Sequence, residues 1–320
     1  MPASLLERRL HFVVGKGGVG KTTVAAALAL TLARRGRRTL GVEMEPGGRL
    51  AGLLGPEVRA GLHVLHVDGR AALEEYLNLV IPVKRLLATV LQSKIYQYFV
   101  AAAPGLKELM TVGKIWYEAT RTEGGRPAWD AIVVDAPATG HSLQYLRMPQ
   151  AARETFGAGL VQREATKITN LLRDPRATAV HLVTLAEEMP VIETLEMRAQ
   201  LTGALGLPLG HVIVNRLHRR RFDPASVERL HAAARMEPSA ERALLHCVAE
   251  RAAEESGWSD INAANLARLR AGIGDAPLIE LPFLFVEEFG CTELEQTARL
   301  LEAGMAGRAE PAARRRSRSS

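Results

Sequence analysis

The chain has 320 residues, a formal net charge of +6, and 47% hydrophobic against 24% charged residues, a balance that excludes a disordered or fibrous bulk and fits an ordinary globular protein. Its two cysteines, Cys247 and Cys291, exclude a disulfide framework and a CxxC pair, and they read as buried, inert thiols in a reducing, cytoplasmic setting. Arg314, Arg315, Arg316 and Arg318 carry much of the charge excess, so no broad nucleic-acid face is indicated, and no apolar run reaches the roughly 18–20 residues of a membrane span.

In chain order, residues 10–14 form a short buried strand and residues 22–35 a helix rich in Ala and Leu, closed by Gly36. Strands follow at 39–44 and 62–67. Residues 70–125 carry mostly helical periodicity, interrupted by Pro82 and by Pro104-Gly105. A strand over 129–134 ends at Asp135, and 142–173 reads as helical. Beyond it come a strand at 179–185, a helix opening at Pro190, a strand at 211–214 and a helical stretch over 224–255. A last strand at 277–281 is followed by a helix over 292–303. This alternation predicts a doubly wound, mostly parallel α/β sheet in one domain over residues 1–307. Residues 308–320 are expected to be a disordered basic tail. The helical stretches at 70–125 and 142–175 exceed what a crossover needs. They are expected to form an inserted helical lobe beside the sheet, or else to thicken the crossover layer.

The chemistry is concentrated near the N-terminus. Gly15-Lys16-Gly17-Gly18-Val19-Gly20-Lys21-Thr22-Thr23 fits G-x-x-x-x-G-K-[ST] between a predicted strand and a predicted helix, the context that the motif requires. Glycines let backbone N–H groups converge on phosphate oxygens, and the helix N-terminus faces the same anion. Lys21 then neutralises β/γ-phosphate charge and the Thr22 hydroxyl is a Mg2+ ligand. ATP and Mg2+ are the expected cofactors of such a P-loop NTPase. Lysine is otherwise rare in this arginine-rich chain, yet Lys16 and Lys21 stand close together here. An ammonium and a guanidinium are not interchangeable.

Lys16 stands five residues before Lys21 in GKGGVGKTT, which resembles the deviant Walker A pattern of the ParA, MinD, ArsA and nitrogenase-iron-protein group. The resemblance implies that Lys16 reaches across a dimer interface to the partner's phosphates, as an arginine finger does. The active unit is then a face-to-face dimer, a homodimer or a heterodimer with a paralogue. Later blocks resemble the ArsA/Get-type ATPases in particular: Asp135-Ala136-Pro137-Ala138-Thr139-Gly140-His141 their switch II, and Val183 through Pro190 with Glu193-Thr194 a further block. Val212-Ile213-Val214-Asn215-Arg216 and Leu281-Pro282-Phe283 with Glu287, Glu288 and Gly290 resemble their base-binding segments. The resemblance implies that Asp135 holds the Mg2+ shell through water, that Asn215 contacts adenine, and that Pro282 and Phe283 lie near the base.

Departures from the family pattern narrow the reading. Glu45, in Glu43-Met44-Glu45-Pro46-Gly47-Gly48, falls where the family carries an Asp that positions the attacking water. Its extra methylene shifts the carboxylate, and a misplacement of about 1 Å costs on the order of 100-fold in rate. Gly47 and Gly48 supply slack, and Glu43 is the second candidate acid. No thiolate cluster for arsenite and no zinc-clamping CxxC is present. The expected function is a dimeric ATPase whose nucleotide-driven closure acts on a partner protein or cargo. The apolar residues between Leu73 and Met110 are candidates for a client groove, with packing core as the alternative. Two further alternatives are a ParA/MinD-like positioning ATPase, resting on the arginine tail and on His218-Arg219-Arg220-Arg221, and a weakly hydrolysing subunit of a heterodimer.

Overall fold

The computed structural model describes residues 5–55, 61–80, 93, 105–156, 158–236 and 239–306. The buried apolar runs become parallel strands: β1 (Leu10–Gly15), β2 (Thr39–Glu43), β3 (Leu62–His66), β6 (Ala131–Asp135), β7 (Thr178–Leu185), β8 (Leu209–Leu217) and β9 (Leu278–Pro282). A two-stranded hairpin, β4 (Thr122–Glu123) and β5 (Arg126–Pro127), stands apart. The main sheet has seven strands in the order β3-β2-β6-β1-β7-β8-β9, all paired in parallel. The chain thus starts mid-sheet, winds out to one edge, returns to lie beside β1, and crosses to the other side. That reversal places a crevice at the carboxyl ends of β1, β6 and β7, where open α/β sheets bind ligands.

Pleating sorts the strand side chains onto two faces. Leu10, Phe12, Val14, Ile132, Val134, Leu182 and Val212 join one core. Val13, Val133, Val183 and Ile213 join the other, with the buried flank of α1 (Lys21–Arg34) and with Leu294, Ala298 and Leu301 of α10 (Cys291–Ala306). Helices therefore cover both faces of the sheet, as expected of a doubly wound fold. Among the described residues no helix is long and apolar enough to cross a membrane.

The first core is closed by α4 (Leu106–Thr120), α5 (Thr139–Thr155), α6 (Leu160–Arg173), α7 (Glu188–Ala199) and α9 (Ser239–Ile273). Helices α3 (Gly69–Val80), α4, α5 and α6 pack on one another. Val112, Ile115, Ala119, Leu146, Ile168 and Leu172 of this group are buried in the same core as the strands. Most of the apolar residues expected in a client groove, from Leu86 to Phe99, fall outside the described residues, as does the tail from Gly307 onward.

Several elements differ from the sequence reading. The single helix expected over 142–173 is two, broken at Gly159, whose φ of 102° is one that L side chains rarely adopt. Conversely, α9 runs 35 residues to Ile273, past the expected end near Glu255. Gly257 lies within it with nothing near an added Cβ, so it weakens the helix by about 1 kcal/mol without breaking it. The strand expected from Trp129 begins at Ala131, and β8 outruns the expected 211–214 at both ends. Pro224–Met236 is a separate helix, α8, and a short α2 (Arg49–Leu54) follows Gly48. Cys247 and Cys291 are both exposed, which corrects the reading of buried thiols. Cys247 lies on a solvent-facing turn of α9 and Cys291 opens α10, so neither is drawn into a core.

A row of buried histidines crosses β1, β7 and β8. The His11 and His181 rings stack 5.4 Å apart, and those of His181 and His211 5.6 Å apart. One proton arrangement satisfies the first two rings. His11 Nε2–H donates to the Arg8 carbonyl at 3.0 Å, so His11 Nδ1 accepts from His181 Nε2–H at 3.1 Å. His181 Nδ1 then accepts the His211 backbone N–H at 3.1 Å. Gly210 makes room, because a Cβ there would sit 2.6 Å from His181 Nδ1. Burial lowers the His11 pKa to about 3 and holds that of His181 well below its ordinary value.

Candidate functional site

The glycine loop joins β1 to α1 at the crevice. Gly15 passes so close to β7 that a Cβ would collide with the Val183 carbonyl oxygen. Gly20 has φ 90°, and a Cβ there would strike the Asn215 amide. Both positions demand glycine for reasons of space as well as conformation. Val19 is buried in the α1-side core and pins the loop. Gly20 offers no side-chain cap and α1 has no acidic residue in its first turn, so its first amides are left to an external anion.

Lys21, Asp135 and Glu45 line the cleft at this loop. Lys21 Nζ donates to the Lys16 carbonyl at 3.1 Å, which folds the amine over the loop. Burial lowers its pKa, opposed by Asp135 and then Glu45. Asp135 ends β6, whose register sets it opposite Val13 of β1. It is 8% exposed, and the Thr22 hydroxyl donates to it. Its Oδ1 is buried with no hydrogen-bond partner among the described residues. Burial raises its pKa to about 6, opposed by the Thr22 bond and by Lys21, and reinforced by Glu43 and Glu45.

Glu45 is exposed and lines the same cleft, of about 540 Å³, as Gly17, Gly18, Lys21, Thr22, Thr23 and Asp135. Glu43, the second candidate acid, is buried and its Oε1 accepts the Leu50 N–H at 3.1 Å. It is engaged in holding the start of α2. Lys16 does not point into the phosphate cleft: its Nζ donates to Glu193 Oε1 of α7 at 2.6 Å.

A second cleft, of about 210 Å³, adjoins the first and shares Thr23, Leu53 and Arg216 with it. Asn215, Pro282 and Phe283 line it. The structure therefore sets most of the expected phosphate-side residues and the base-side residues in two adjoining clefts. Within the second, Asn215 Nδ2 donates to the Val19 carbonyl at 2.9 Å, and its Oδ1 accepts the Arg216 N–H at 3.0 Å. The amide thus braces the end of β8 against the glycine loop. Arg216 is the sole non-glycine residue with positive φ, at 50°, among those described.

Sequence reasoning missed the aromatic wall beyond Phe283. His218 stacks on Phe283 with ring centroids 4.6 Å apart, and Phe283 meets Phe285 edge-on at 4.8 Å. The Arg221 guanidinium lies 4.3 Å over Phe285. The Phe-Leu-Phe spacing after Pro282 was the available signal. A larger cleft, of about 1020 Å³, lies at the opposite end of the strands. Its arginines are engaged by the fold: Arg9 donates to the Ala119 carbonyl at 3.1 Å, and Arg37 to the carbonyls of Leu6, Arg8 and Asp130.

The chain is similar to known ATPases. Residues 8–164 match the family described as anion-transporting ATPase, ArsA. ATPase BagA of Mycobacterium tuberculosis is 37% identical over 237 residues, which span 70% of this chain and 69% of that protein. The arsenical pump-driving ATPase of Escherichia coli is 32% identical over 221 residues, 66% of this chain and 35% of that protein. ATPase GET3B of Arabidopsis thaliana is 26% identical over 270 residues, 66% of this chain and 64% of that protein.

Proposed function

Because the chain belongs to the ArsA/Get-type ATPase family, we propose that this ATPase works as a Mg2+-dependent dimer whose nucleotide-driven closure acts on a partner protein or cargo. The observation that carries the reading is the buried Asp135 carboxylate beside Thr22, whose Oδ1 has no hydrogen-bond partner among the described residues. A buried carboxylate left open is costly unless a cation or its water shell completes it. Hard oxygen donors of this kind suit Mg2+, which when bound supplies counter-charge to the β- and γ-phosphates.

The protein's own groups divide the remaining work. The loop amides and the α1 N-terminus bind the phosphates, and Lys21 neutralises charge that builds on the bridging and γ oxygens. Glu45, exposed at the mouth of the cleft, orients the attacking water. That water oxygen bonds to the γ-phosphorus while the bond to the β–γ bridging oxygen breaks, leaving ADP and phosphate. Pro282 and Phe283 wall the base, and Asn215 holds the loop from beneath. Lys16 acts in trans on the phosphates of a second subunit.

The basic segment of the positioning-ATPase alternative is largely engaged within the chain. His218 bonds Glu255 at 2.9 Å, Arg220 pairs with Asp260, and Arg221 lies over Phe285. The test is Mg-ATP hydrolysis by the purified chain, titrated over protein concentration. Specific activity is expected to rise with concentration, and Lys16→Ala to abolish the rise. Nucleotide binding without turnover at any concentration would overturn the homodimer and favour a heterodimer with a paralogue.

A further inference from the structure

Lys16 is held within its own subunit. Its Nζ donates to Glu193 Oε1 at 2.6 Å, across 177 residues of sequence. The side chains are 34% and 27% exposed, so the pair is partly shielded from water. Its origin is topological. β1 and β7 are neighbours, with Gly15 opposite Val183. The loops leaving their carboxyl ends therefore lie side by side, and α7 starts at Glu188, directly beyond β7. Glu193, in the second turn of α7, falls beside the glycine loop. A carboxylate this close to the ammonium competes with any phosphate for the same charge.

We infer that Glu193 is a positioning residue for Lys16: it parks the amine on its own subunit in the nucleotide-free state, and closure of two nucleotide-bearing copies must displace it. The inference rests on the proposed trans role of Lys16. On closure each Lys16 exchanges the Glu193 carboxylate for phosphate oxygens on the other copy, and each Glu193 is released to water. No bond is made or broken in this exchange. A partly exposed pair of this kind shifts an equilibrium roughly threefold. Two pairs break per dimer, so Glu193 opposes assembly by about tenfold in total. The effect biases the free chain against closure by that factor and leaves the rest of the drive to nucleotide in both clefts.

The test is sedimentation of the full chain with Mg2+ and a non-hydrolysable ATP analogue, for wild type, Glu193→Gln, Lys16→Ala and the double variant. Glu193→Gln is expected to lower the dimer dissociation constant about tenfold and to change nothing once Lys16 is gone. Glu193→Asp, one methylene shorter, is expected to fall between. An unchanged or weaker dimer in Glu193→Gln overturns the inference, and so does an equal shift in the Lys16→Ala background, which marks a merely structural role. A wild type that stays monomeric with the analogue overturns the trans reading instead. Acylation of the Lys16 amine in nucleotide-free protein, followed by mass spectrometry, then still decides the pair. Several-fold faster labelling in Glu193→Gln upholds the parking, and unchanged labelling overturns it.

Discussion

Two sets of buried polar groups sit on the same sheet and are treated in opposite ways. In the histidine row, each ring nitrogen of His11 and His181 has one partner, and the neutral tautomers close the chain of bonds from Arg8 to His211. At the carboxyl end of the strands, Asp135 is nearly as buried, yet its Oδ1 meets no donor among the described residues. A polar group that only holds a fold together is stable when every lone pair is matched. One that takes a ligand must forgo some of that match beforehand. Asp135 thus differs from His11 and His181 as a group open to a ligand differs from groups closed within the fold.

The sharpest way to break this comparison is Asp135→Asn. If the open carboxylate serves a cation, turnover should fall by about 10³-fold or more. Stability at neutral pH should hold or rise, because a buried charge at a cost has been removed. Steady-state hydrolysis and thermal unfolding of the same preparation decide it. An active variant, or an inactive one that has also lost stability, would place Asp135 with the structural groups. Glu45→Gln comes next. Its charge faces Lys21 from an exposed loop, so turnover should drop about 100-fold with nucleotide affinity nearly unchanged. Unchanged turnover would remove Glu45 from the chemistry.

What could be read in advance follows the same division. The positions of the glycine loop, Lys21 and Asp135 were legible because phosphate chemistry demands particular residues at contiguous spacing or at a strand end, whereas Lys16, expected at phosphates, stands on Glu193. The parallel sheet was legible from its apolar runs. Glu193 was not readable as the partner of Lys16, since only the adjacency of β1 and β7 brings the two together. Gly159 and Gly257 show the limit for helices. One breaks a helix at φ 102° while the other is carried through α9, and nothing local distinguishes them. The hairpin at Gly124-Gly125 was readable in hindsight, as two adjacent glycines with φ of 58° and 79° between short strands.

The histidine row supplies a prediction of intermediate size. The folded pKa values of His11 and His181 lie below the unfolded value near 6.5, with His11 at about 3. Their contribution is therefore complete above pH 6.5 and is lost as pH falls, by about 1.4 kcal/mol per pH unit for each ring. Asp135 works in the opposite sense. Its raised pKa of about 6 means that protonation between pH 6 and 4 favours the folded state and offsets the loss from about one ring. Denaturant unfolding from pH 7.5 to 4.5 should therefore show a steeper decline in Asp135→Asn than in wild type. Parallel curves would mean that the two sets do not titrate oppositely.

The smallest effect is the most discriminating for the base side of the groove. The Asn215 amide is already engaged by the Val19 carbonyl and the Arg216 N–H, so its hydrogen bonds lie along the glycine loop. Losing one such bond costs about 1 kcal/mol, or roughly fivefold in nucleotide affinity. If Asn215 acts by bracing the loop, Asn215→Ala should weaken ATP and GTP binding by the same factor, because both carry the same phosphates. If the amide turns away from Val19 to read adenine, the loss should fall on ATP alone and the preference over GTP should shrink. Calorimetric titration of both nucleotides separates the cases. An equal loss places Asn215 with the closed groups that shape the site, and a selective one with the open groups that meet the ligand.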